Sequence, residues 1–134
     1  MSEFIRVQHR EDGRVLGLTL DNPKGNVLTM SVMNELDAAL AGHAADPHLR
    51  LVTLRGAGRH FSFGASVEEH RKELAPRMLD RFHRLIEQVA GYPVPVAALS
   101  KSTRHLSAGV TRKAPRTTRR SFWAWWMVFC VRPQ

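Results

Sequence analysis

At 134 residues with one cysteine, the chain has the size of a single domain and cannot close an internal disulfide. It lacks the ~18 consecutive apolar residues of a membrane span, and its first residues, Met-Ser-Glu-Phe-Ile-Arg, hold no apolar signal core. A cytoplasmic location is the expectation. The net charge of +8 is uneven: residues 1–99 carry 12 Lys+Arg and 12 Asp+Glu, whereas residues 100–134 carry eight Lys+Arg, no acid, all three Trp and Cys130. The boundary near Leu99 divides a neutral domain, 1–99, from a basic tail, 100–134.

In chain order, Phe4–His9 and Val15–Leu20 are short runs of strand formers. Glu11-Asp12-Gly13-Arg14 lies between them, with an Asp-Gly turn signal at its centre, so the pair reads as an antiparallel hairpin. Asp21 to Asn26 reads as a loop. From Ser31, apolar residues recur about once per turn (Met33, Leu36, Leu40, Ala44), which predicts a helix ending before Pro47. Leu51–Leu54 is a compact apolar strand suited to a sheet covered on both faces.

Gly56, Gly58 and Gly64 punctuate the next stretch, and a further helical region is expected after Ser66. Pro76 restarts or interrupts it. Met78, Leu79, Phe82, Leu85, Ile86 and Val89 then form one apolar stripe, predicting a helix over Pro76–Ala90. Val94–Leu99 reads as a buried strand in the same sheet as the others. The order β-β-α-β-α-β argues for a layered α/β domain. Residues 100–121 show neither helical nor strand periodicity and are read as irregular, and Phe122–Val131 is abruptly apolar and aromatic.

The chemistry-bearing stretch is Gly64-Ala65-Ser66-Val67-Glu68-Glu69. Gly64 permits a backbone conformation other residues resist. Ser66 with Glu69 fits the S-x-x-E capping box of a helix start. Backbone N–H groups at such a turn are aimed outward, which is what stabilising an oxyanion requires. The same pattern also arises in turns that bind nothing, where first-turn acids such as Glu68 and Glu69 only complement the helix dipole. No set of His, Cys and carboxylates has metal-ligand spacing, and Lys24-Gly25-Asn26 is not a phosphate loop by pattern.

Four stretches, in order, resemble the enoyl-CoA hydratase/isomerase (crotonase) family. They are Leu20-Asp21-Asn22-Pro23-Lys24-Gly25-Asn26-Val27-Leu28, then Val52-Thr53-Leu54-Arg55-Gly56, then Phe61-Ser62-Phe63-Gly64-Ala65-Ser66, then Pro93-Val94-Pro95-Val96-Ala97-Ala98. Ser66 stands where most of the family has Asp. With Val67 to His70, that motif is most similar to the cyclohexa-1,5-diene-1-carbonyl-CoA hydratases of anaerobic aromatic degradation.

The resemblance implies a partial ββα-repeat fold and a lyase-type chemistry on acyl-CoA thioesters, without a further cofactor, in a family of homo-oligomers (trimers or hexamers) whose oligomerising region has no match in this chain. Ala65 matches the first of two backbone oxyanion donors. Ser66, Val67 and Glu68 match the adjoining substrate-contact segment, and Lys24, Val27 and Leu28 match the loop that touches CoA.

The likeness stops at Leu99. There the family continues with a G-x-x-x-G-G-G turn that supplies the second donor and opens a helix, and its catalytic glutamates lie in or beyond it. This chain reads Ser100 to Val110 instead, with no acid after Glu87. The expectation is a truncated acyl-CoA-binding domain without hydratase turnover. The alternative is polyanion binding, without specific nucleic-acid recognition, through the basic, Trp-containing tail.

Overall fold

The computed structural model describes residues 2–23, 25–70, 73–100 and 108–111. Strand β1 (Ile5–Arg10) and strand β2 (Val15–Leu20) pair antiparallel, Ile5 opposite Leu20 and Arg10 opposite Val15. Asp12 and Gly13 between them have φ of 54° and 84°, and Arg14 N–H donates to Glu11 O at 3.0 Å. Both central residues are left-handed, as a type I′ turn requires, which is why Asp-Gly suits this position.

Helix α1 (Met30–His43) crosses to strand β3 (Leu51–Gly56), which lies parallel to β2. Its amino end is capped by Thr29, whose hydroxyl accepts from Val32 N–H at 3.3 Å. Helix α2 (Ala75–Ala90) follows, with Pro76 in its first turn, and leads to strand β4 (Val96–Leu99), parallel to β3. The expected strand over Val94–Leu99 thus begins after Pro95, which has no N–H to give. Its carbonyl still accepts from Val52 N–H at 2.9 Å.

The core lies between one sheet face and the two helices. Leu16, Leu18, Leu20, Val52 and Val96 face Val32, Met33, Leu36, Leu40, Met78 and Leu85, all buried. Leu79, placed in the apolar stripe by its spacing, is instead half-exposed, because the stripe of α2 is narrower than the run of apolar letters. Arg81 joins the helices: its guanidinium donates to Asn34 Oδ1 at 2.6 Å and pairs with Asp37 at 2.8 Å. Tyr92 O–H donates to Leu40 O at 2.9 Å, and burial holds its phenol above the ordinary pKa. The Glu35 carboxylate collects the chain start, accepting from Ser2 O–H at 2.7 Å and from the N–H groups of Glu3, Phe4 and Ile5. Burial opposes its ionisation, but these four donors outweigh it and lower its pKa.

One expectation is corrected within 100–121. Ala108–Thr111 is a fifth strand, β5, antiparallel to β4 with Leu99 opposite Ala108, in the sheet order β1-β2-β3-β4-β5. A four-residue run is too short for its periodicity to register in sequence. The open edge of β4 supplies the pairing that local propensity alone does not predict. Apart from Ser100, the rest of the stretch 100–121 expected to be irregular lies outside the described residues, as does the apolar run Phe122–Val131.

Candidate functional site

Strands β2, β3 and β4 run parallel and end at Leu20, Gly56 and Leu99 on one edge of the sheet. Loops leaving the carboxyl ends of parallel strands are where such sheets place ligands. Here residues 21–29 after β2 and 57–67 after β3 meet. Leu28 N–H donates to Gly64 O at 2.9 Å, and Ser66 N–H donates to Leu28 O at 3.1 Å, forming a parallel bridge between Leu28 and Ala65. In that arrangement the Leu28 polar groups face Gly64 and Ser66, while the N–H and C=O of Ala65 point to the other side. Among the described residues nothing accepts from the Ala65 N–H. Gly64 precedes it at φ 100°, a conformation that penalises any L side chain.

Buried Asn26 organises the turn. Its Nδ2 donates to Ala57 O and His60 O, both at 3.0 Å, and its Oδ1 accepts from Asn22 N–H at 3.1 Å. Its own carbonyl accepts from Ser62 O–H at 2.6 Å, and the Ser62 hydroxyl accepts from Gly64 N–H at 3.0 Å. One side chain therefore binds the loop after β2 to the loop after β3, and Ser62 passes that link to Gly64. Sequence reading placed Asn26 only in a loop. Its signal is an Asn after Gly where the chain turns left-handed, since Asn tolerates that conformation better than most residues; its φ is 54°.

The predicted site residues separate by environment. Ala65 is half-buried and Ser66 buried, with the Ser66 hydroxyl accepting from Glu69 N–H at 3.4 Å. Val67 is 84% exposed and Phe63 66% exposed, so apolar side chains flank the Ala65 amide on both sides in sequence. Glu68 is exposed. Val27 is half-buried beside Leu28, whose own side chain lies in the core and whose backbone polar groups are both used. Lys24 lies outside the described residues.

Two local expectations change. The helix after Ser66 is only a 3₁₀ turn, Glu68–His70, and α2 starts afresh at Ala75. The capping box is half formed. Ser66 caps, but the Glu69 carboxylate does not return to Ser66. Its Oε2 accepts from Met30 N–H at 2.8 Å, at the amino end of α1. An open groove between α1 and α2 starts at Met30 and is lined with charge, but Arg81 and Arg84 there are paired with Asp37 and Asp80. Among the described residues no three His, Cys or carboxylate side chains gather as a metal would need, and no helix is long and apolar enough to cross a membrane.

Comparison with known proteins gives this geometry a relation. Cyclohexa-1,5-dienecarbonyl-CoA hydratase of Thauera aromatica is 38% identical over 95 residues, 71% of this chain and 37% of that protein. A probable enoyl-CoA hydratase of Bacillus subtilis (strain 168) is 31% identical over 91 residues, 65% of this chain and 35% of that one. The chain thus spans a little over a third of the length of these relatives. A crystal structure of enoyl-CoA hydratase from Bacillus anthracis superposes with a TM-score of 0.67 at 26% identity, covering 72% of this chain and 39% of that one. The family model described as enoyl-CoA hydratase/isomerase matches residues 10–101, which takes in every strand from β2 to β4 and the whole Gly64–Glu69 turn: the chain belongs to that family.

Proposed function

We propose that the loops around Ala65 bind an acyl-CoA thioester, with the Ala65 N–H donating to the thioester carbonyl oxygen. The observation that carries this reading is the Ala65 N–H, which has no acceptor among the described residues, at the carboxyl end of the parallel strands, held between Gly64 and Ser66. Water addition to an α,β-unsaturated thioester builds negative charge on that oxygen, so a preorganised amide there favours the reaction. Phe63 and Val67 offer an apolar rim beside the donor, suited to the carbon chain of an alkenoyl or cyclic dienoyl group. The Thauera relative's name supports the cyclic dienoyl substrate class. Val27, Ser66 and Glu68 complete the contact segment, and Lys24 is proposed for the CoA side of the cleft.

The chain as given does not turn over enoyl-CoA in this proposal. One amide donor is worth roughly 3–4 kcal/mol of transition-state stabilisation, against the ~8–23 kcal/mol that enzymes supply. Hydration also needs a carboxylate in hydrogen-bond reach of water and substrate. Glu69 is held by Met30, Glu68 is exposed, and no acid follows Glu87. The test pairs two measurements on the full chain: calorimetric titration with crotonyl-CoA, and the hydration assay with crotonyl-CoA and a cyclic dienoyl-CoA. Saturable binding that survives high salt, with no hydration, supports the reading. Turnover lost in Glu68→Gln would overturn the inactivity. Binding that ignores the acyl group and collapses with salt would favour polyanion binding by the basic tail.

A further inference from the structure

Three hydrogen bonds join residues 28–30 to residues 64–69. Leu28 N–H donates to Gly64 O, Ser66 N–H donates to Leu28 O, and Met30 N–H donates to Glu69 Oε2 at 2.8 Å. The first two are backbone bonds, and Ala65 sits between them. The third is carried by a side chain, at the far end of the same seam. Helix α1 has no acid in its own first turn, so Glu69 brings to its amino end the negative charge that the helix dipole favours. The direction of the Ala65 N–H depends on how the two stretches lie against each other, and hydrogen bonds weaken steeply as the donor turns away from its acceptor.

We infer that Glu69 is a positioning residue for the Ala65 donor: by anchoring the Glu68–His70 turn to the amino end of α1, it fixes the direction in which the Ala65 N–H meets a ligand oxygen. The inference rests on the proposed thioester site. Glu69 itself touches Met30 and not the ligand. Glu68, next to it and exposed, has no such tie among the described residues.

The test compares the wild-type chain with Glu69→Ala, which removes the acceptor, and Glu69→Gln, which keeps an acceptor oxygen. Each is titrated with crotonyl-CoA and with S-butyl-CoA, a thioether of the same length without the carbonyl. Amide hydrogen exchange is followed at Met30 and at Leu28 and Ser66, whose hydrogen-bonded N–H groups flank Ala65. Loss of one well-aligned hydrogen bond lowers the thioester-over-thioether preference by roughly 2- to 10-fold. That loss is expected in Glu69→Ala, with faster exchange at Met30, Leu28 and Ser66, and Glu69→Gln should restore most of both. A merely structural role would weaken both ligands equally and leave the preference unchanged, which overturns the inference. A wild-type chain with no thioester preference overturns the proposed site instead. In that case exchange decides on Glu69: unchanged protection at Leu28 and Ser66, whose bonds flank Ala65, in Glu69→Ala refutes the positioning role, and lost protection there that Glu69→Gln restores upholds it.

Discussion

The loop that leaves the sheet after β3 and the outer edge of β4 are held in opposite ways. After Gly56 the chain turns out of the sheet and is held largely by side chains: Asn26 on Ala57 and His60, Ser62 on Gly64, Ser66 on Glu69, Glu69 on Met30. The outer edge of β4 pairs through its backbone with β5, Leu99 opposite Ala108 and Val96 opposite Thr111. Strand pairing consumes amide donors, so an N–H stays free for a ligand where the chain leaves the sheet and side chains carry the load that pairing would carry.

The comparison predicts that the exit after β3 is sensitive to single side chains. The largest effect is expected for Asn26→Ala. It strips partners from Ala57 O, His60 O and Asn22 N–H and puts alanine at φ 54°, and should cost about 3 kcal/mol. The urea midpoint reads this; a loss below about 1 kcal/mol would show the loops are not held by Asn26.

Gly56→Ala comes next. A Cβ there would lie 2.2 Å from His60 O and 2.7 Å from Phe61 Cα, so backbone must shift, at a cost of about 2 kcal/mol. Glu69→Ala should lower stability by only about 1 kcal/mol, the worth of a helix cap, so its effect on the Ala65 amide is read in folded protein.

The smallest effect is on pH dependence and lies away from the site. The pKa of Glu35 is lowered in the folded chain, so its contribution is complete above the ordinary glutamate value of about 4.3 and is lost as pH falls below it, through the lowered folded value. Urea midpoints measured from pH 6 to pH 3 should fall less steeply in Glu35→Gln than in the wild type. Equal slopes would show that the Ser2, Glu3, Phe4 and Ile5 donors do not stabilise the ionised form.

Much of the architecture was legible because local pattern and tertiary context agree. The Asp-Gly turn, the spacing of Met33, Leu36 and Leu40, and the apolar run from Leu51 each indicate the element that forms. The Gly64 turn was legible too, since a left-handed glycine next to a Ser cap is a local device. What the sequence could not show is non-local. Nothing in Ser66-Val67-Glu68-Glu69 reveals that the carboxylate reaches Met30, 39 positions away, and not its own turn. Nothing in Ala108–Thr111 reveals that β4 has an open edge to pair with. Leu79 misleads because a helix buries a stripe and not every apolar letter along it.

In the proposed site the Ala65 N–H donates to a thioester carbonyl. The most direct measurement is the amide resonance of Ala65 in ¹⁵N-labelled full chain during titration with crotonyl-CoA and, separately, with CoA lacking the acyl group. A saturable downfield shift of the Ala65 amide proton is expected with crotonyl-CoA and not with CoA alone. Saturation of neighbouring resonances while the Ala65 proton stays fixed, or the same shift with CoA alone, would contradict it.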